Sequence, residues 1–313
     1  MAPTFAGEPP RSLPVYRSAV VARLARRLGK VFAGLDSRSY LGEDARAEFR
    51  FYDELFEEAL LRIDRRVAAG AVRPCVLRSR GEPRLPEPPA RVGAFIGSFD
   101  PFQMTHLAAA LRFLASDRAA CDVVVVIPEG GENPAKPKKT DYRFRFELLR
   151  LQLESVFAPF ILPLDLGEGA DTIGIVERLI AQRAGGPLEL THLLGSDSLP
   201  LAARYLPEDL AAWRRAAAER NVDLDFGAFA VLREEGFDLS YAEASYGAHG
   251  IRFAADERPL GTPSSTDFRS RGALTIVLPT DAVLGRLELL FRYAMNRPWM
   301  GERSAARRPE YEI

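Results

Sequence analysis

The chain has 313 residues, of which 47% are hydrophobic and 27% charged, and its formal net charge is -1. This balance fits a globular domain with an extension. It gives no global pull toward nucleic acid or an anionic membrane, so neither is expected as a partner and any phosphate site must be local. Cys75 and Cys121 are too few for a disulfide scaffold or a cysteine zinc site, and a reducing cytoplasm fits them best.

No apolar run approaches the roughly 20 residues of a membrane span. The opening "MAPTFAGEPPRSLP" has no apolar core of a secretory leader. Residues 1–14 hold four prolines and read as a disordered start. A basic helical pattern covers Val15 to Ala33, with Arg17, Arg23, Arg26 and Arg27. A longer helix is predicted over Glu43 to Ala69, where Phe49, Tyr52, Phe56, Ala59, Leu60 and Ile63 form one apolar stripe. The Pro-rich stretch Arg78 to Arg91 reads as a connector, so residues 15–90 form a helical extension before a main domain at 91–296 and a tail at 297–313.

From Arg91 on, strands and helices alternate. Strands are predicted at Val92–Ile96, Cys121–Pro128, Phe160–Leu164, Leu190–Gly195 and Phe226–Arg233. Helices are predicted at Met104–Ser116, Tyr142–Phe157, Thr172–Arg183, Glu208–Arg220 and Ala282–Tyr293. The strands are apolar without alternation, as when both faces are covered. The fold class is therefore α/β, a Rossmann-like parallel sheet with helices on both faces behind an N-terminal helical extension. Such sheets bind ligands beyond the carboxyl ends of their strands.

Gly97-Ser98-Phe99-Asp100-Pro101 follows the first strand and feeds a helix carrying Gln103 and His106 at its start. Glycine there lets a ligand approach the backbone, and a helix N-terminus favours phosphate. His106 can donate to a phosphoryl oxygen, and the Gln103 amide can donate without carrying charge. Farther on, Ser264, Ser265 and Thr266 can cap a helical turn, with Arg269 one turn along suited to phosphate oxygens.

"GSFDPFQMTHL" resembles the nucleotidyltransferase pattern G-S-F-D-P-x-H-x-G-H-L, with Gln103 in place of the first histidine and Thr105 in place of glycine. "TPSSTDFRSRG" resembles the same superfamily's S-S-T-x-x-R motif. "LLGSDSLPLAARY" resembles a segment of nicotinate mononucleotide adenylyltransferases, with Tyr205 where tryptophan stands. The resemblance spans Arg91 to about Asn296.

It implies transfer of an adenylyl group from ATP to the phosphate of nicotinate or nicotinamide mononucleotide; the alternatives are an adenylyl- or cytidylyltransferase using ATP or CTP on another small phosphorylated acceptor, or a nucleotide-binding protein of low turnover. His106, Arg269 and a loop lysine, Lys136 or Lys138, would stabilise charge. Gly97, Ser98, Phe99, Gln103, His106, Gly195, Asp197, Ser264, Ser265, Thr266 and Arg269 would hold ATP. Ser98, Phe99, Arg145, Thr172, Tyr205 and Arg233 would hold the acceptor. Mg²⁺ would ride mainly on substrate phosphates, with no dedicated protein ligands. A homo-oligomer is compatible with all of this.

Overall fold

The computed structural model describes residues 14–36, 43–74, 85, 91–130, 140–154, 156–168, 171–183, 185–256 and 258–261. Among the described residues the main domain is built on six parallel strands: β1 (Arg91–Gly97), β2 (Val123–Pro128), β3 (Ile161–Pro163), β4 (Pro187–Gly195), β5 (Asp223–Val231) and β6 (Arg252–Asp256). Their order in the sheet is β3-β2-β1-β4-β5-β6. The chain winds outward from β1 on one side and from β4 on the other, so the crevice between the carboxyl ends of β1 and β4 is the topological switch point.

Seven helices accompany the strands among the described residues: α1 (Ala19–Asp36), α2 (Glu43–Ala68), α3 (Met104–Ala115), α4 (Tyr142–Leu153), α5 (Thr172–Ala181), α6 (Leu199–Glu219) and α7 (Ser240–Ala248). They divide between the two sheet faces. Phe95, Val124, Val126, Leu193 and Phe229 meet α1 to α4 in one apolar cluster. Val92, Ala94, Val125, Leu190 and Ala230 meet α5, α6 and α7 in the other. Successive residues of a strand point to opposite faces, so both halves of each apolar run are buried. Gly93 lets α3 come close to β1, since a Cβ there would stand 2.3 Å from the Phe113 ring.

The extension is part of this packing. The stripe expected on α2, from Phe49 to Ile63, is buried in the same cluster as α3. Asp64 of α2 accepts from the Arg17 and Ser18 backbone N–H groups at 2.8 and 2.7 Å, capping the start of α1. Arg66 donates to the Ser116 and Ala119 carbonyls at the far end of α3. Asp122 accepts from the Arg73 backbone and the Arg91 guanidinium, tying the tail of α2 to the sheet. Within the connector, Leu85 is buried against the opposite face and its N–H donates to Gln182.

Two expectations change. The helix expected from Glu208 starts at Leu199 and passes through Pro207. Proline removes the donor for the carbonyl four residues back, that of Ala203. The Ser245 hydroxyl of α7 donates to that carbonyl at 3.1 Å, so the helix continues. The sheet also gains β6, with α7 before it, neither of which was expected. The helix expected at Ala282–Tyr293 lies outside the described residues. None of the helices among the described residues is long and apolar enough to cross a membrane.

Candidate active site

A cavity of about 220 Å³ opens at the switch point, lined by the turn after β1, the start of α3 and the turns after β4 and β5. Gly97, Ser98, Phe99, Gln103 and His106 reach it from one side, and Gly195, Asp197 and Arg233 from the other. Segments about a hundred residues apart thus converge because β1 and β4 are neighbours.

At the start of α3, Gln103 is the N-cap, with extended backbone. Its N–H donates to His106 Nδ1 at 3.1 Å. A ring nitrogen that accepts carries no proton, so this contact favours the tautomer with its proton on Nε2. The ring is packed edge-on against Phe95 and Phe99, with Phe102 beside it, which fixes its plane. The first backbone N–H groups of α3 lie in the same turn, and with the helix dipole they favour an anion.

The turn itself is tightly held. Phe99 adopts a left-handed backbone, φ 42°, and its ring folds back over the strand end. A Cβ at Gly97 would stand 3.2 Å from that ring, so glycine makes room for the fold-back. Asp100 is buried and accepts from the Thr140 backbone N–H at 3.0 Å. Ser98 is buried at the cavity wall, and among the described residues its hydroxyl has no hydrogen-bond partner.

Across the cavity, Arg233 Nη1 donates to Asp197 at 3.1 Å, and the Arg233 N–H donates to the Ser196 hydroxyl. Both charged side chains reach solvent, so the pair can open to a ligand at little cost. Gly195 has a specific reason: a Cβ there would stand 2.4 Å from Asp197 Oδ1. The turn after β4 can therefore fold its carboxylate back over the strand end.

Comparison with solved structures places three nucleotide enzymes beside this chain. One is a Plasmodium falciparum nicotinic acid mononucleotide adenylyltransferase complexed with APC, 14% identical, with a TM-score of 0.41 over 64% of this chain and 97% of that one. Another is the Plasmodium falciparum nicotinic acid mononucleotide adenylyltransferase complexed with NaAD, 17% identical, with a TM-score of 0.36 over 57% of this chain and 82% of that one. A bifunctional NMN adenylyltransferase/ADP ribose pyrophosphatase from Francisella tularensis is 15% identical, with a TM-score of 0.35 over 65% of this chain and 49% of that one. All three TM-scores are low, and the fold stands on the strand ladders themselves. No family model matches the chain, and no curated protein matches it.

Three residues assigned to the acceptor take other places. Arg145 is buried, and its guanidinium donates to the carbonyls of Ser98, Glu129 and Thr140. It brackets the turns after β1 and β2 from behind instead of facing a ligand. Burial pulls its pKa down, while the Asp100 charge opposes that shift. Tyr205 of α6 is 44% exposed and is not among the residues that line the cavity. Thr172 is the first residue of α5, beyond β3, and does not line the cavity either.

Lys136, Lys138, Ser264, Ser265, Thr266 and Arg269 lie outside the described residues. Phe95, Phe102 and Asp100 were missed as parts of the site. Asp100 stood in the quoted motif, but nothing in the sequence shows that its carboxylate reaches Thr140. His192, in β4, is core: burial holds its pKa down at about 4.

Proposed function

We propose that this cavity binds a nucleotide and that the chain is an adenylyltransferase. It would move the adenylyl group of ATP onto the phosphate of nicotinate or nicotinamide mononucleotide. The observation that carries this reading is the convergence at one switch-point cavity of the Gly97–His106 turn with Gly195, Asp197 and Arg233.

In the reaction an acceptor phosphate oxygen bonds to the α-phosphorus of ATP, and the bond from that phosphorus to the bridging oxygen breaks. Pyrophosphate leaves with the electron pair. The attacking oxygen is already ionised, so no side chain has to remove a proton. Catalysis is then alignment and charge stabilisation. His106 Nε2–H and the first N–H groups of α3 donate to phosphoryl oxygens. The Ser98 hydroxyl supplies a further polar contact, and Asp197 accepts from ribose hydroxyls once Arg233 turns to a phosphate. Arg269 and the loop lysine, Lys136 or Lys138, would add positive charge to the polyphosphate.

Among the described residues no three His, Cys, Asp or Glu side chains are grouped to hold a metal ion. Asp100 is engaged by a backbone N–H and Asp197 by Arg233. Mg²⁺ would enter with the triphosphate and neutralise phosphate charge there. A second acceptor class is favoured by one observation. Tyr205, which stands where the resembled segment has tryptophan and is expected to hold the acceptor, does not line the cavity. Another small phosphorylated acceptor is the alternative.

The test is incubation with ATP or CTP, Mg²⁺ and a panel of phosphorylated acceptors, with pyrophosphate and product measured. Pyrophosphate with ATP and either mononucleotide is expected. Product only from a different acceptor would move the assignment to the alternative, and none from any acceptor would sink the transferase reading.

A further inference from the structure

Ser196 follows β4 directly and is buried, and it is not among the residues that line the cavity, although Gly195 and Asp197 on either side of it are. β4 and β5 run parallel with Gly195 opposite Val231, and the ladder goes one step further: the Ser196 N–H donates to the Val231 carbonyl at 3.0 Å. In a parallel ladder the carbonyl of that same residue would next accept from the N–H of Arg233. Here the Ser196 carbonyl is turned aside and accepts from the Leu199 N–H at 3.3 Å, at the start of α6. The Ser196 hydroxyl accepts from the Arg233 N–H at 3.1 Å. A side chain thus stands in for a backbone carbonyl, and β4 can break into α6 without letting go of the turn after β5.

The residue before Arg233 is held from the other side. The Leu232 N–H donates to the Asp256 carbonyl at 3.2 Å, and its carbonyl accepts from Leu260 at 2.9 Å. The root of Arg233 is therefore fixed between two supports, one from β6 and one from Ser196. From that root the guanidinium reaches Asp197, the residue next to Ser196 in the chain. One buried serine sets the starting points of both charged side chains that face the cavity from this side. We infer that Ser196 is a positioning residue: its hydroxyl holds the turns after β4 and β5 in the register that aims Arg233, and with it Asp197, at the cavity. The inference rests on reading the cavity as a nucleotide site, and it adds to that site a residue that touches no ligand.

The test uses the full chain. Ser196→Ala removes the acceptor, and Ser196→Cys keeps nearly the same size with a sulfur that accepts only weakly. Amide hydrogen exchange at Arg233 and the melting temperature are read without ligand. Affinity for a non-hydrolysable ATP analogue is read with Arg233 present and in an Arg233→Ala background. Both serine variants should exchange the Arg233 amide roughly fivefold faster and bind the analogue roughly fivefold more weakly, the scale of one lost hydrogen bond. In the Arg233→Ala background Ser196→Ala should add no further loss, because both changes act through the same side chain.

Unchanged exchange at Arg233 in Ser196→Ala would overturn the inference. Wild-type exchange in Ser196→Cys would do the same, since filling the space would then be what matters, and so would an equal affinity loss in the Arg233→Ala background. A serine that merely stabilises the turn predicts a lower melting temperature with affinity untouched, which also counts against it. If the wild type binds no ATP analogue, the nucleotide reading is what fails. Exchange at Arg233 still decides whether the Ser196 hydroxyl holds the turn.

Discussion

A neutral imidazole that accepts at one nitrogen has a single proton to give, and the Gln103 contact to His106 Nδ1 favours placing it on Nε2. On the proposed reading, this donor faces charge that grows on a phosphoryl oxygen during transfer. His106→Ala should lower turnover by about a hundredfold or more, the scale for a lost preorganised donor, with little change in melting temperature. A wild-type turnover number would remove His106 from the chemistry. Arg145 predicts the opposite pattern. Arg145→Met strands three carbonyls in a buried place, so unfolding free energy should drop by about 3–5 kcal/mol in urea titrations. A ligand-binding arginine would instead weaken affinity and leave stability alone. His192 adds a pH dependence. Its folded pKa is about 4 against 6.5 for the free side chain, so the unfolded chain takes up a proton first. The stability held above pH 6.5 is lost as pH falls toward 4, by on the order of a few kcal/mol. His192→Leu should flatten that slope in denaturation curves taken from pH 7 to pH 4.

At the scale of elements, α6 is the helix that depends on its neighbour. Ser245 of α7 completes the ladder that Pro207 interrupts. Ser245→Ala should therefore cost about 1 kcal/mol and speed amide hydrogen exchange around Ala203 and Leu206. A change no larger than that of an exposed serine on α7 would show the bond to be idle. The same pair explains a limit of the sequence. Pro200 and Pro207 look like breakers when α6 is read alone, and the residue that rescues it is 42 positions away. The strands were legible because uninterrupted apolar runs such as Val123–Ile127 suit a sheet covered on both faces. β6 was not, because Arg252–Asp256 mixes charge with alanine and its pairing with β5 is visible only in space. The turn after β1 was legible from its motif. The inward role of Arg145 was not, since an arginine in a helix looks the same from the sequence whether it faces carbonyls or phosphates.

For the molecule as a whole, the extension and the sheet form one packed body. α2 covers α3, and Arg66, Asp64 and Asp122 bind the pieces through buried polar contacts. Removing residues 1–90 would bare the apolar side of α3, so the truncated chain should be less soluble and melt at a lower temperature than the full one. Equal solubility and an equal melting temperature would show that α2 contributes nothing to the main domain.

Among the described residues the sheet ends on one side at β3, which is only three residues long and closes on Pro163. A strand that short, finished by a residue without an N–H, offers a second chain almost no template to extend. The apolar strands of this sheet would be an aggregation hazard if they lay at its margin. With β2 shielded behind so brief a border, growth of the sheet from one molecule into the next is blocked on that side.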